Sequence, residues 1–177
     1  MVFKASHRGD DGFTDLGSKR VSKDSIVIEF EGEVDELVSL IGVVKAFFKE
    51  YNITDLVTIL DDIQRKLMHI ASYVALMGKV DSPIDAQSLS EIEKLIDDFS
   101  NKVVIYPRFV VPGASIGSAL LHFVRAVCRR VERRAVRMLR EGLLDQKTYV
   151  YLNRLSDLLY LLALYVNVII NVKEDLL

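Results

Sequence analysis

Apolar side chains recur every three or four residues along most of this chain, the spacing that lays a single stripe along an α-helix. The pattern predicts five helices. The first covers 34–51, with Leu37, Leu40, Ile41, Val44 and Phe48 on one face. The second covers 53–77 through Leu56, Ile59, Leu60, Ile63, Leu67, Ile70 and Val74. A shorter third, 88–99, opens on Ser88 and Glu91 in the spacing of a capping box. The fourth, 115–141, follows a break at Pro112 and Gly113, with Ser115 as N-cap and Gly142 as terminator. Its predicted buried stripe is Leu120, Val124, Val127, Val131, Ala135 and Met138. The fifth begins at Asp145 or Gln146 and is rich in leucine.

Two stretches depart from this period. Ile26, Ile28 and Phe30 alternate as in a strand, but no partner strand is evident, so 26–31 is predicted as an extended lead-in to the first helix. Residues 1–25 set Gly9, Gly12 and Gly17 among polar residues and are predicted as a loop, too long for a mere connection. With no repeat and no linker, the expected fold is all-α: a single five-helix bundle (34–173) behind an irregular N-terminal loop (1–25), one domain over 1–177.

The polar faces carry the candidate chemistry. On the fourth helix Arg125, Arg129 and Glu132 fall within roughly a 60° sector beside the buried stripe, with Arg133 next to them. Arg130, Arg134 and Arg137 emerge on the other flank. Such a row suits a polyanion; it also suits an exposed helix held by i,i+3 and i,i+4 pairs. The net charge of −2 disfavours a general nucleic-acid binder, so the arginine density is local. Within the fifth helix Asn153, Arg154 and Asp157 interrupt an apolar run, where polar groups satisfy one another or face a cavity. Together with Asn167 they make that run a bundle helix and a poor membrane span. His69 has no E-x-x-H companion and is read as structural, as is His122. The single Cys128 permits no internal disulfide, and the polar N-terminus has no apolar signal core, so a cytoplasmic protein is expected.

The wording of two segments is specific. RAVCRRVERR (125–134), preceded by FVVPGASIGSALLHF and followed by YLNRLSDLLYLLA, closely resembles the PduO-type ATP:cob(I)alamin adenosyltransferases, from about Gly9 to Ala163. The resemblance implies a homotrimeric helical-bundle transferase with sites between subunits. It would move the 5′-deoxyadenosyl group of ATP to cobalamin, with magnesium arriving on ATP and not on protein side chains. A cobalamin reductase and an adenosylcobalamin-dependent acceptor enzyme are implied as partners; no nucleic acid or membrane is.

Residue by residue, the resemblance places Ser6, His7, Arg8, Gly9 and Thr14 around the triphosphate. The family writes Thr-Lys-Thr before Gly-Asp-Asp-Gly; this chain has Ser6-His7-Arg8, which keeps a hydroxyl and adds a guanidinium fork. Lys23 matches a lysine near the phosphates. Arg125, Arg129 and Arg133 are implied to neutralise the leaving group, Glu132 to orient arginines or nucleotide, and Asn153 to hold the nucleotide with Arg154 and Asp157 in support. Asp35 would pair with Arg125 across the subunit interface. Phe109 matches the aromatic residue that sits below the corrin and keeps the lower axial ligand away, which eases reduction of cobalt. Two other readings stay open on the residues alone: a bundle that binds an acidic partner or RNA through its arginines, and a catalytically weak carrier of adenosylcobalamin.

Overall fold

The computed structural model describes residues 7–76 and 79–177. Its helices are α1 (Ile26–Glu50), α2 (Thr54–Ala75), α3 (Ala86–Ser100), α4 (Ile116–Arg140) and α5 (Gln146–Ile169). Helix α2 packs on α1, α1 on α4, α4 on α5 and α5 on α3. One apolar core runs through all five, from Phe30 and Ile41 through Leu60 and Val131 to Leu159. The all-α bundle expected from periodicity is the fold observed.

Helix α1 begins eight residues earlier than the sequence pattern suggests. Ser25 is its N-cap position, and Phe30, Val34, Leu37, Ile41, Val44 and Phe48 form one buried stripe. The alternation of Ile26, Ile28 and Phe30 was therefore misleading: Ile26, Phe30 and Val34 also obey a four-residue period, and burial of Phe30 selects the helix. The cap of α3 is also corrected. Asp85 accepts from the Ser88 amide at 2.7 Å and Ser88 sits inside the first turn, while Glu91 pairs with Lys66 at 2.9 Å. The Ser115 cap holds as read, accepting from the Ser118 amide at 3.2 Å; the fifth helix begins at Gln146, with Asp145 as an N-cap that accepts from the Thr148 amide at 3.0 Å. In the α4 stripe Leu121 is fully buried where Leu120 is only partly so. Past α4, Gly142 turns the chain with φ of 71°.

The N-terminal loop contains a hairpin, which its composition concealed. Strands β1 (Phe13–Leu16) and β2 (Lys19–Ser22) pair antiparallel around Gly17, whose φ is 54°. Leu16 is buried, and the tip approaches the end of α2, with Lys79 Nζ donating to Ser18 Oγ at 3.1 Å. At the other end of the chain, helix α5 stops at Ile169, short of the expected 173. The tail then adds β4 (Asp175–Leu176) antiparallel to β3 (Val110–Val111), just after Phe109.

Candidate active site

Helix α4 sorts its arginines by flank. Arg130 pairs with Glu36, and Arg134 reaches Glu29 at 2.8 Å and Glu33 at 3.1 Å, all on α1. Arg137 pairs with Glu141 one turn on at 2.9 Å. These are the bundle's own ion pairs. Arg125, Arg129 and Arg133 have no salt bridge to a carboxylate among the described residues; Arg133 donates to the Arg129 carbonyl oxygen at 3.1 Å. A guanidinium carries five donors and a fixed charge, so this flank is the one left to receive an anion.

Glu132, embedded in that flank, is engaged sideways. Asn153 Nδ2 on α5 donates to Glu132 Oε1 at 3.1 Å, Arg154 donates to Asn153 Oδ1 at 3.1 Å, and Arg154 reaches Glu93 on α3 at 3.5 Å. Three helices are thus tied by one polar chain. The expectation that Asn153, Arg154 and Asp157 satisfy one another holds for the first two. Asp157 is exposed and stands outside the chain of contacts.

Arg125 stacks its guanidinium 5.3 Å from the Tyr160 ring centroid, and its Nε is buried without a hydrogen-bond partner among the described residues. Asp35 is exposed on α1 and makes no salt bridge to Arg125 within the chain. His122, one turn before Arg125, is 8% exposed; burial and the neighbouring Arg125 charge hold its imidazole below its usual pKa. Burial likewise pushes the Cys128 thiol up, so this cysteine is an inert core group.

The N-terminal loop is braced by its own charges. Lys23 Nζ donates to the Gly9 carbonyl at 2.6 Å, and the Lys23 amide to the Gly12 carbonyl at 2.9 Å. Arg8 pairs with Asp15 at 3.0 Å, His7 lies 3.5 Å from Asp10, and Thr14 sits in β1 opposite Val21. Arg20, which periodicity gave no reason to select, bonds both Asp11 oxygens at 2.8 Å and holds that carboxyl below its usual pKa. A side chain on Gly9 would meet Lys23 Nζ at 2.9 Å, so the missing Cβ lets this lysine close over the turn. Ser6 lies outside the described residues. Among those described, no hydrogen bond or salt bridge joins this loop to Arg125, Arg129 or Arg133 of the same chain.

Phe109 is 81% exposed, an unusual position for a large apolar ring. Its backbone is nonetheless fixed: the Leu177 amide donates to the Phe109 carbonyl at 3.0 Å, and Val110 pairs with Leu176. The ring is held out by a clamped backbone.

Residues 5–166 match the cobalamin adenosyltransferase family. The chain belongs to that family. It is 34% identical over 161 residues to a corrinoid adenosyltransferase of Bacillus subtilis, spanning 90% of this chain and 83% of that one. It is 36% identical over 165 residues to the corrinoid adenosyltransferase MMAB of Bos taurus, spanning 89% and 68%. Among solved structures, a PduO-type ATP:corrinoid adenosyltransferase variant from Lactobacillus reuteri, complexed with cobalamin and ATP, superposes with a TM-score of 0.90 at 27% identity. The match covers 98% of each chain.

For a member of this adenosyltransferase family, the division of α4 into neutralised and free arginines locates the flank where anionic substrate is to be sought. Reasoning along the sequence missed Glu29, Glu33 and Glu36 as the partners that occupy Arg130 and Arg134. It also missed Tyr160 under Arg125. The acids were visible only as a Glu-rich start to a helix whose beginning had been misplaced.

Proposed function

We propose that this chain transfers the 5′-deoxyadenosyl group of ATP to cob(I)alamin, giving adenosylcobalamin and triphosphate. The observation that carries the reading is the free arginine flank of α4 in a chain that belongs to the cobalamin adenosyltransferase family. Cobalt(I) attacks C5′ of ATP; the cobalt–carbon bond forms, the C5′–oxygen bond breaks, and triphosphate leaves with the electron pair. The corrin supplies the nucleophile, so the protein's work is position, charge and exclusion of water.

Arg129 and Arg133 would take the phosphate oxygens as charge builds on the leaving group, where fixed donors act most strongly. In a homotrimer with sites between subunits, which the family resemblance implies, Arg125 would meet Asp35 of a neighbouring copy. In that arrangement the loop carrying Ser6, His7, Arg8, Gly9 and Thr14 would lie across the neighbour's arginines, with Lys23 holding it closed. Glu132 and Asn153 would fix the nucleotide, with Arg154 and Asp157 in support. Phe109 would cover the lower face of the corrin. Among the described residues no group of three or more His, Cys, Asp or Glu side chains could hold a metal ion. Magnesium would be carried by the phosphate oxygens of ATP, as the family resemblance implies. The reading places the enzyme in the cytoplasm, between a cobalamin reductase and an adenosylcobalamin-dependent acceptor enzyme.

The test is an anaerobic assay with chemically reduced cobalamin, following the visible spectrum with and without ATP and magnesium. Conversion to the adenosylcobalamin spectrum only with ATP is the expected result. A perturbed corrin spectrum without conversion would instead make the chain a carrier, and no perturbation at all would overturn corrin binding.

A further inference from the structure

The N-terminal loop, proposed above to wrap a triphosphate, brings three carboxylates of its own: Asp10, Asp11 and Asp15. Together with the carbonyl oxygens of a tight turn, these would oppose a polyanion at close range. The hairpin answers this. Antiparallel pairing sets Arg20 on β2 directly opposite Asp15 on β1, where cross-strand neighbours share a face. From there Arg20 Nη1 lies 3.5 Å from Asp15 Oδ1. Its Nη2 bonds both Asp11 oxygens at 2.8 Å and also donates to the Arg8 carbonyl oxygen.

Arg20 is the sole salt-bridge partner of Asp11 among the described residues. Asp15 has Arg8 as well, at 3.0 Å, and the side chain of Asp10 is largely in water. Asp11 also has a local task. Its Oδ1 accepts from the Phe13 amide at 3.1 Å, an Asx turn at the start of β1, so the same carboxylate holds a turn and carries a charge. The neighbouring carbonyls are engaged too: Gly9 by Lys23 Nζ and Gly12 by the Lys23 amide. Arg20 and Lys23 thus take up the negative ends of the turn from Arg8 to Gly12.

Resting on the function proposed above, we infer that Arg20 is a positioning residue for the nucleotide, acting through Asp11. By compensating that carboxylate and tying down the Arg8 carbonyl, it lets the turn from Gly9 to Gly12 close on a polyphosphate. The guanidinium is spent on the loop itself, so its influence on ATP is indirect. Lysine is no equivalent here. An ammonium is a point charge and lacks the fork that reaches Asp11, Asp15 and the Arg8 carbonyl together. Asparagine at position 11, by contrast, keeps an acceptor for the Phe13 amide and drops the charge. The two roles of Asp11 can therefore be separated.

The test is steady-state kinetics in ATP at saturating reduced cobalamin, for Arg20→Ala, Arg20→Lys, Asp11→Asn and the double variant Arg20→Ala/Asp11→Asn. Arg20→Ala leaves Asp11 uncompensated and should raise KM for ATP by about tenfold or more. Its kcat should stay within about twofold of wild type, the signature of lost uniform binding. Arg20→Lys should fall between the two. Asp11→Asn alone should keep KM close to wild type, and in the double variant it should bring KM back to within about threefold. A merely structural arginine would show no such rescue, since its loss would add to that of Asp11. If Arg20→Ala does not fold, Arg20→Lys with and without Asp11→Asn makes the same comparison. A wild-type KM in Arg20→Ala, or a double variant no better than Arg20→Ala, would overturn the inference alone. Absence of adenosylcobalamin formation by the wild type would overturn the proposed function, and this inference with it.

Discussion

Asn153 Nδ2 on α5 donates to Glu132 Oε1 on α4 at 3.1 Å. This bond explains how a carboxylate can stand among the arginines proposed to receive a polyanion. Glu132 is turned towards α5, and the guanidiniums of Arg129 and Arg133 are left without it. Asn153 in turn is steadied by Arg154, so the geometry of the arginine flank is set from the neighbouring helix.

Asn153→Ala should therefore damage nucleotide use more than stability. Loss of a hydrogen bond to a charged group corresponds to about 1.5–3 kcal/mol, or roughly a tenfold to hundredfold fall in kcat/KM for ATP. Steady-state kinetics at saturating cobalamin reads this directly. An unchanged value would remove Asn153 from the site.

Arg129→Ala and Arg130→Ala should separate cleanly although the residues are adjacent. Arg130 serves Glu36 and Glu33, and its partly exposed pairs are each worth about 0–1 kcal/mol. Its removal should lower the melting temperature slightly and leave KM for ATP close to normal. Arg129 makes no carboxylate pair among the described residues, so Arg129→Ala should keep the melting temperature and cost about a hundredfold in kcat. Melting curves beside ATP kinetics decide between them; the reverse pattern would exchange their roles.

Phe109→Ala removes a ring that is 81% exposed, so the fold should not register it. ATP affinity should also persist. Reduction of bound cobalt(II) and overall turnover should fall by about an order of magnitude or more, since the lower axial ligand regains access. Electron paramagnetic resonance of bound cob(II)alamin would show the axial nitrogen restored. Wild-type turnover in the variant would take Phe109 out of the mechanism.

Acid sensitivity has one identifiable source in the α1–α2 interface. Lys45, which is buried, and Arg65 both hydrogen-bond Asp61 and hold its carboxyl down to about 2, from an ordinary value near 3.8. The native pKa lies below the unfolded one. The stabilisation is therefore complete above the unfolded value and disappears as pH falls through the native value. Asp61→Asn should lower the melting temperature at pH 6, and the gap to wild type should narrow steadily from about pH 4 towards pH 2. Melting curves across that range would show it; a gap independent of pH would mean that the contacts, not the charge, stabilise the pair.

The helices of this protein were legible in its sequence because their signals are local. A stripe such as Leu56, Leu60, Ile63, Leu67, Ile70 and Val74 is written within one segment, as is the cap at Ser115. The arginine flank with Asn153 was legible as a set of candidates, and the long motif around Arg125 pointed to the family. Where the local signal was double, it misled: Ile26, Ile28 and Phe30 satisfy two periods, and only packing against the core chooses between them. The hairpin of the N-terminal loop carried too few apolar positions to announce itself.

What only the tertiary structure decided is which charges are already taken. Glu29, Glu33 and Glu36 meet Arg130 and Arg134 from a helix about a hundred residues away, and Asp175, Leu176 and Leu177 reach the Phe109 loop from the far end of the chain. Periodicity orders residues on one helix, where neighbours are fixed by backbone geometry. Pairing of charges across helices depends on which faces burial brings together, and that is settled only when the whole core has closed.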